Sequence, residues 1–452
     1  MFDQSFTSEN FRKIFDYENR KGNYLEGKFF PEIAKIMEEL KQNIAEIRGL
    51  KRNQQSLDNE IYETKRIELS QRREVLRNKK EELLLKELEK LSLKISKGEV
   101  ALGLKQVQIK GKTAYTFSGG KNSGSAATYF ALKQIQYNIR KLYKVKQSNR
   151  FNILSQLREV IDNPFPKYLI RTDIKDFFET IPGDALLTKI DSEPLLALPS
   201  KKIIRRILHD YKALSGNSNG IPRGVGISAY LSELYMRNLD EEILSQPDVI
   251  FYARYVDDIV IVYAPKPNSN NSKLLENLIH IVGKHGLATN STKTVQYELP
   301  IKDPTSLTYL GYTFKLASQP IKLALSEQKV LRYKRKIELS FQAYHSAAKN
   351  KERRARKILL KRIKFLTTNT RLLNNKEHAV VGIYFSNCLM TCDHALLELD
   401  IMLKAEINKL SLTDVRDSLD KMSFEQGFKQ KRFSQFSTND LITIVKVWKY
   451  AT

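Results

Sequence analysis

Two adjacent acids lodged between runs of apolar, β-forming residues constrain this chain more than any other feature. Ile250-Phe251-Tyr252-Ala253-Arg254-Tyr255 reads as a strand, Val256-Asp257-Asp258 follows, and Ile259-Val260-Ile261-Val262-Tyr263 reads as a second strand. The pattern predicts a hairpin that carries charge at its tip while its flanks want burial. Carboxylates beside apolar strands are costly unless a cation neutralises them, and acidic oxygens are the ligands magnesium takes. A third acid comes earlier, where Tyr168-Leu169-Ile170-Arg171-Thr172-Asp173 forms a short strand ending in a carboxylate. Successive strand residues point to opposite faces, so Asp257 and Asp258 cannot aim equally well at one spot. The economical arrangement sets Asp257 with Asp173 around two ions and leaves Asp258 in support. An Asp-Asp pair on a turn is by itself usually only a turn; order and company distinguish this one.

The charge balance supplies a partner for such a site. Lys and Arg number 76 against 51 Asp and Glu, a net charge of +25. That surplus favours a polyanion, and nucleic acid is the commonest. A membrane surface competes for this reading, but no apolar run approaches the roughly 20 residues of a spanning helix, and no signal-peptide pattern opens the chain. Two cysteines exclude a disulfide framework and fit a reducing compartment, so the expected location is cytoplasmic.

Four regions are expected. Residues 1–98 form an aromatic-rich arm and then a helical hairpin or coiled coil, a scaffold or a dimerisation device. Ile33, Met37, Leu40, Ile44 and Ile47 alternate by four and three until Gly49 interrupts; Leu69, Leu76 and Leu83 stand at heptad spacing, and Leu84, Leu88, Leu91 and Ile95 continue. Residues 99–320 begin with an extended pair turning at Gly111-Lys112 and contain all three acids. The stretch 118–124 resembles a phosphate loop, but its glycine spacing fails, leaving a flexible turn. Residues 321–370 are helical and basic; between Lys349 and Lys364 stand Arg353, Arg354, Arg356, Lys357, Lys361 and Arg362 against the single acid Glu352, a composition suited to a duplex backbone. Residues 371–452 form a helical appendage, in which Cys388, Cys392 and His394 lack a second zinc half-site and read as core thiols.

The chemistry-bearing segments resemble the motifs of reverse transcriptases, in the family's order. Residues 171–178 look like motif A and Tyr255-Val256-Asp257-Asp258 like motif C. Between them Gly220-Ile221-Pro222-Arg223-Gly224-Val225-Gly226-Ile227-Ser228 is similar to motif B. Gly286-Leu287-Ala288-Thr289-Asn290 with Lys293 resembles motif D, and residues 307–314 resemble the primer grip. The resemblance covers roughly 140–320 and implies an α+β right-hand polymerase: fingers, a palm with a small antiparallel sheet, and a thumb, with helical extensions at both ends. It implies that Asp173, Asp257 and Asp258 hold two magnesium ions, with manganese as the other acceptable ion, and that Lys293 is an acid toward departing pyrophosphate. Phe178 would be the aromatic gate selecting deoxynucleoside triphosphates. Lys146 and Arg150 would grip the triphosphate, and Arg223 and Gly224 would line the nucleotide pocket. Tyr309, Leu310 and Gly311 would be the primer grip.

Two departures matter. Arg223 stands where the family usually has Gln, and Ser228-Ala229 where it usually has Ser-Pro. Arginine only donates and is always charged, so the pocket should be more cationic. This variant resembles bacterial defence-associated reverse transcriptases of the abortive-infection and "unknown" groups, which act against phage. The expected activity is RNA-directed DNA synthesis with an RNA template or associated non-coding RNA, and with a partner subunit or second copy of the chain. The alternatives are template-independent or protein-primed DNA synthesis on the same acids and a non-catalytic RNA-binding scaffold, with an RNA-dependent RNA polymerase behind them.

Overall fold

The computed structural model describes residues 3–56, 58–100, 102–109, 111–117, 123–264, 266, 271–372 and 379–449. The chain is α+β, with long helices around small antiparallel sheets, and it divides into two compact units.

The first unit takes Met1–Gln147, Ile174–Glu242 and Ile279–Thr289. Helix Ser8–Arg20, capped by the Thr7 side chain, buries Phe11 and Phe15. Helices Pro31–Arg52 and Asn59–Ser96 form an antiparallel hairpin. Ile36 and Leu40 pack with Leu76, while Asn43 Nδ2, further along, donates to the Leu69 carbonyl at 3.1 Å. Gly49 does not interrupt the first of these helices. Nothing crowds it and the helix runs on to Arg52, since one glycine costs only about 1 kcal/mol. β1 (Leu104–Ile109) and β2 (Lys112–Phe117) pair from Leu104↔Phe117 to Ile109↔Lys112, so Lys112 already belongs to the strand. Residues 118–122 of the expected turn lie outside the described residues, and Ser123 and Gly124 belong to helix Ser123–Leu142 instead.

The second unit takes Ser148–Asp173, Ile243–Leu278 and Asn290–Thr452. Its main sheet holds β3 (Lys167–Asp173), β4 (Val249–Tyr255), β5 (Asp258–Tyr263) and β6 (Val295–Leu299) in the order β4-β5-β3-β6, every pair antiparallel. Strand β3 is central and buried along its length except at Arg171. A second sheet joins β7 (Ser306–Tyr309), β8 (Tyr312–Lys315) and β9 (Lys322–Leu325). Leu310 and Gly311, with φ of 44° and 75°, make the two-residue β7–β8 turn that suits right-twisted strands. Helix Glu327–Thr367 follows, broken at Lys351. Beyond it come β10 (Asn369–Arg371), β11 (Val380–Gly382) and the helices His394–Asn408, Thr413–Asp420, Phe424–Lys429 and Thr438–Val445. One apolar core runs from Leu169 and Val262 through Phe314, Phe341 and Leu359 to Leu399, Phe424 and Trp448. The basic helix and the C-terminal helices thus share their interior with the sheet that carries the acids. Among the described residues no helix is long and apolar enough to cross a membrane.

Candidate active site

Strand register brings the acids to one end of the main sheet. Asp173, the last residue of β3, lies opposite Asp258, the first residue of β5. Asp257 occupies the two-residue turn between β4 and β5, beside Val256. Val256 has φ of 63°, a left-handed conformation that a β-branched residue adopts only under constraint. The constraint is visible. Arg254, 5% exposed, donates from Nη1 to the Val256 carbonyl at 2.9 Å. The Tyr309 hydroxyl, inside the core, donates to the Asp258 carbonyl at 3.3 Å.

Each acid has a different electrostatic setting. Asp258 is gripped by Arg171, Nε to Oδ1 at 2.9 Å and Nη2 to Oδ2 at 3.1 Å. Burial still pushes its carboxyl above the usual range; Arg171 pulls the other way, and Asp257 and Asp173 add to the rise. Asp173, 5% exposed, accepts from the Lys293 ammonium through Oδ2. β6 pairs Val295 with Arg171, which brings the short turn Ser291–Lys293 alongside Asp173. Asp173 Oδ1 is buried and has no hydrogen-bond partner. Asp257 has neither hydrogen bond nor ion pair among the described residues.

The residues fit a divalent cation in a specific way. An orphaned carboxylate oxygen on Asp173 and an unengaged carboxylate on Asp257 are what a cation would complete, and both are hard oxygen ligands. Among the described residues no group of three acidic, histidine or cysteine side chains is gathered as a ready metal cage. Arg171 occupies Asp258, and Lys293 occupies half of Asp173. The register sets Asp258, not Asp257, directly across from Asp173, and Asp257 is the acid that no protein group holds among the described residues.

The nucleotide-pocket candidates of the first unit form a second group. Phe177 is buried, whereas Phe178 is half-buried, its ring edge-on to Phe177 at 5.2 Å. The Arg223 guanidinium lies 6.0 Å above the Phe178 ring and 3.7 Å from Glu179. The Ile221 N–H donates to the Phe178 carbonyl at 2.7 Å, joining the glycine-rich loop to the segment after β3. Gly224 has φ of 90°, and a Cβ there would lie 3.0 Å from the Tyr115 carbonyl oxygen. Its glycine is thus required by close approach to β2. Buried Ser228 closes the loop through Oγ to the Pro222 carbonyl at 2.7 Å.

Several expected residues are placed differently. Lys146 is exposed in the first unit, but Arg150 belongs to the second. Its guanidinium lies 5.6 Å from the Tyr312 ring, and Nη2 is 2.9 Å from where a Cβ on Gly311 would stand. Arg150, the first residue of helix Arg150–Ile161, therefore packs on the β7–β8 turn. Tyr309 acts from inside the core, so Leu310 and Gly311 are the parts of the expected primer grip that reach the tip. Of the six basic thumb residues, Arg353, Arg354 and Lys357 are exposed without an acid partner among the described residues. Arg356 pairs with Glu352 and Asp414, and Lys361 with Asp440. Arg362 departs from expectation: it is 6% exposed and reaches the Thr443 carbonyl at 3.5 Å, since it follows Ala355 and Leu359 on the buried stripe of the helix. Cys388 and Cys392 are free thiols.

Sequence reasoning assigned no task to Arg171 or Arg254. Arg171 stands two residues before Asp173 on one strand, a spacing that puts both on the same face and could have signalled the pairing. Arg254, an arginine inside an apolar strand, was the other available signal.

Comparisons with known proteins bear on this geometry. The model of the family described as reverse transcriptase (RNA-dependent DNA polymerase) matches residues 126–314. No curated protein matches the chain. Among solved structures, telomerase from Candida tropicalis truncated from its C-terminal domain is 15% identical over 50% of this chain, with a TM-score of 0.37. The chain spans 55% of that protein's length. Telomerase from Candida albicans, in complex with a fragment of telomeric RNA, is 13% identical over 75% of this chain and 69% of its own, with a TM-score of 0.39. Apo telomerase from Candida tropicalis is 14% identical over 77% and 61%, with a TM-score of 0.40. Residues 126–314 thus resemble a reverse transcriptase domain, and the match spans less than half of the chain.

Proposed function

We propose that the chain copies RNA into DNA with magnesium held by Asp173 and Asp257. The observation that carries this reading is the buried Asp173 Oδ1, left without a partner beside an unengaged Asp257. Divalent magnesium bound there, with manganese as a substitute, would lower the pKa of a primer hydroxyl and offset charge on the triphosphate. The chain's own residues do the rest. Arg171 holds Asp258 and thereby fixes the start of β5. Lys293, held on Asp173, would give a proton to departing pyrophosphate. The half-buried Phe178 ring, braced by Arg223, meets the sugar and excludes a 2′-hydroxyl, so deoxynucleoside triphosphates are the substrates. Exposed Lys146, Arg353, Arg354 and Lys357 supply charge toward phosphates.

The motif B variant around Arg223 supports a cytoplasmic, defence-associated enzyme that acts against phage with a dedicated structured RNA and a partner subunit or second copy. Arg223 also favours a second reading, synthesis without a template or from a protein hydroxyl, because a donor-only side chain stands where a donor and acceptor is usual. One experiment tests both. The purified chain is given magnesium and deoxynucleotides, with and without copurified RNA, and the products are sequenced. DNA complementary to a bound RNA supports copying; homopolymer or random DNA without RNA supports the second reading. Incorporation that survives Asp173→Asn or Asp257→Asn would remove the basis for both.

A further inference from the structure

We propose that the C-terminal region carries a stacking platform for the unpaired bases of single-stranded nucleic acid, built on Phe385 and Phe433. The two rings lie 5.6 Å apart, tilted by 58°, and are 39% and 53% exposed. A scattered exposed aromatic needs no explanation, but a pair held in fixed relation does.

The scaffold behind this pair is rigid and buried. Asn369 is fully buried and spends its polar groups on the two turns that present the rings. Its Oδ1 accepts from the N–H groups of Tyr384 at 2.9 Å and Phe385 at 3.4 Å. Its Nδ2 donates to the Arg432 carbonyl at 3.0 Å, and its backbone N–H donates to the same oxygen at 2.7 Å. Its own carbonyl accepts from the Ser434 N–H at 2.8 Å. Phe385 is thus fixed directly, and Phe433 is bracketed by its two neighbours. Gly382 permits the approach, because a Cβ there would fall 2.4 Å from Asn369 Cα. Tyr384 packs behind, 5.1 Å from the Phe385 ring.

Charge selects the ligand. Lys431 lies 4.6 Å over the Tyr384 ring, and Arg432 is held by Gln426 and Gln430. Neither cation pairs with an acid among the described residues. Rigid aromatic faces beside uncompensated cations match a ligand that offers flat rings and negative charge together, as an unstacked strand does. A duplex hides its base faces and should be ignored. Because it needs none of the palm acids, this inference does not depend on the polymerase reading, and its readout is binding rather than synthesis.

The test titrates the full chain with labelled oligothymidylate, the matching oligouridylate and a blunt duplex. Phe385→Ala and Phe433→Ala should each weaken single-strand binding by roughly 5- to 150-fold, the span reported for one stacked base, and leave duplex binding unchanged. Phe433→Trp should keep affinity and add an emission that single strand quenches. The natural protein has one tryptophan, Trp448, which is 6% exposed and should not respond. The strand that quenches identifies DNA or RNA as the occupant. Absence of quenching with both strands, or unchanged affinity in both alanine variants, would overturn the proposal. So would loss, in those variants, of a concentration-dependent dimer in place of oligonucleotide binding, since the patch would then serve self-association.

Discussion

Arg171 takes both carboxylate oxygens of Asp258 across the β3–β5 ladder, from a position two residues before Asp173. The pair is largely buried, with side chains 19% and 21% exposed, so its partners are worth more to each other than a surface ion pair. Arg171→Met should cost about 2 kcal/mol, because it leaves a carboxylate in apolar surroundings. Asp258→Asn should cost a similar amount, and the double variant less than the sum. A double-mutant cycle in urea checks this, and additive losses would mean that the two groups are not coupled.

Val256 holds a left-handed turn, with Arg254 bracing its carbonyl. Val256→Gly should relieve about 1 kcal/mol of backbone strain and raise the denaturation midpoint. The same change loosens the turn that aims Asp257, so nucleotide incorporation should fall by roughly tenfold while stability rises. Opposite signs in the two measurements would mark a turn strained for its task; parallel falls would mean that the Val256 side chain matters chiefly for packing.

The acids were legible because they conflict with their neighbours: charge at the ends of Val-, Ile- and Tyr-rich strands demands a reason. Their division of labour was only half legible. Asp257 falls in the turn and Asp258 on the strand opposite Asp173, and no pattern in the chain announces that Arg171 would claim Asp258. Leu76 among the heptad leucines and the pairing of β1 with β2 follow from periodicity. Periodicity also carried information that composition concealed. Ala355, Leu359, Arg362 and Leu366 recur at helical spacing and are all buried, so Arg362 lies on the inner stripe although it sits in a basic run. Arg150 could not be placed from sequence, since it packs against a turn far along the chain. The aromatic pair at Phe385 and Phe433 was equally hidden, because Asn369 joins segments that are distant in sequence.

Lys329 gives the protein a distinctive pH dependence. Burial, with Arg150 and Arg332 adding to it and the Cys388 thiol opposing, pulls its ammonium down to about 7. It donates to the Ser386 carbonyl at 3.0 Å and lies 4.7 Å over the Tyr312 ring. Between pH 7 and the ordinary lysine range near 10.4 the unfolded chain holds a proton that the folded chain has released, so stability from this group rises with pH across that window. Below pH 7 both states are protonated and the full penalty applies. Lys329→Met should therefore stabilise the protein at pH 6, by about 1–3 kcal/mol after allowance for the lost hydrogen bond, with the gain fading toward pH 10. Thermal unfolding of both proteins across this range checks the slope, and a gain constant with pH would show that Lys329 stays charged.

The same substitution should have opposite signs at two glycines. A Cβ at Gly427, in helix Phe424–Lys429, would fall 1.7 Å from the Thr367 carbonyl oxygen and 2.9 Å from its carbon. Both are backbone atoms at the end of the long helix, Thr367 is 1% exposed, and no side-chain rotation can relieve the clash. Gly427→Ala must push the two helices apart, at a cost of roughly 3 kcal/mol or more. Gly49, in helix Pro31–Arg52, has nothing within 4 Å of its would-be Cβ. Gly49→Ala should stabilise by roughly 0.5–1 kcal/mol, because alanine loses less backbone freedom on folding into a helix. Chemical denaturation of the two variants in parallel tests whether the contact at Thr367 or general helix propensity governs. If Gly427→Ala were as stable as the parent, the close approach that holds the C-terminal helices to the core would not exist in solution.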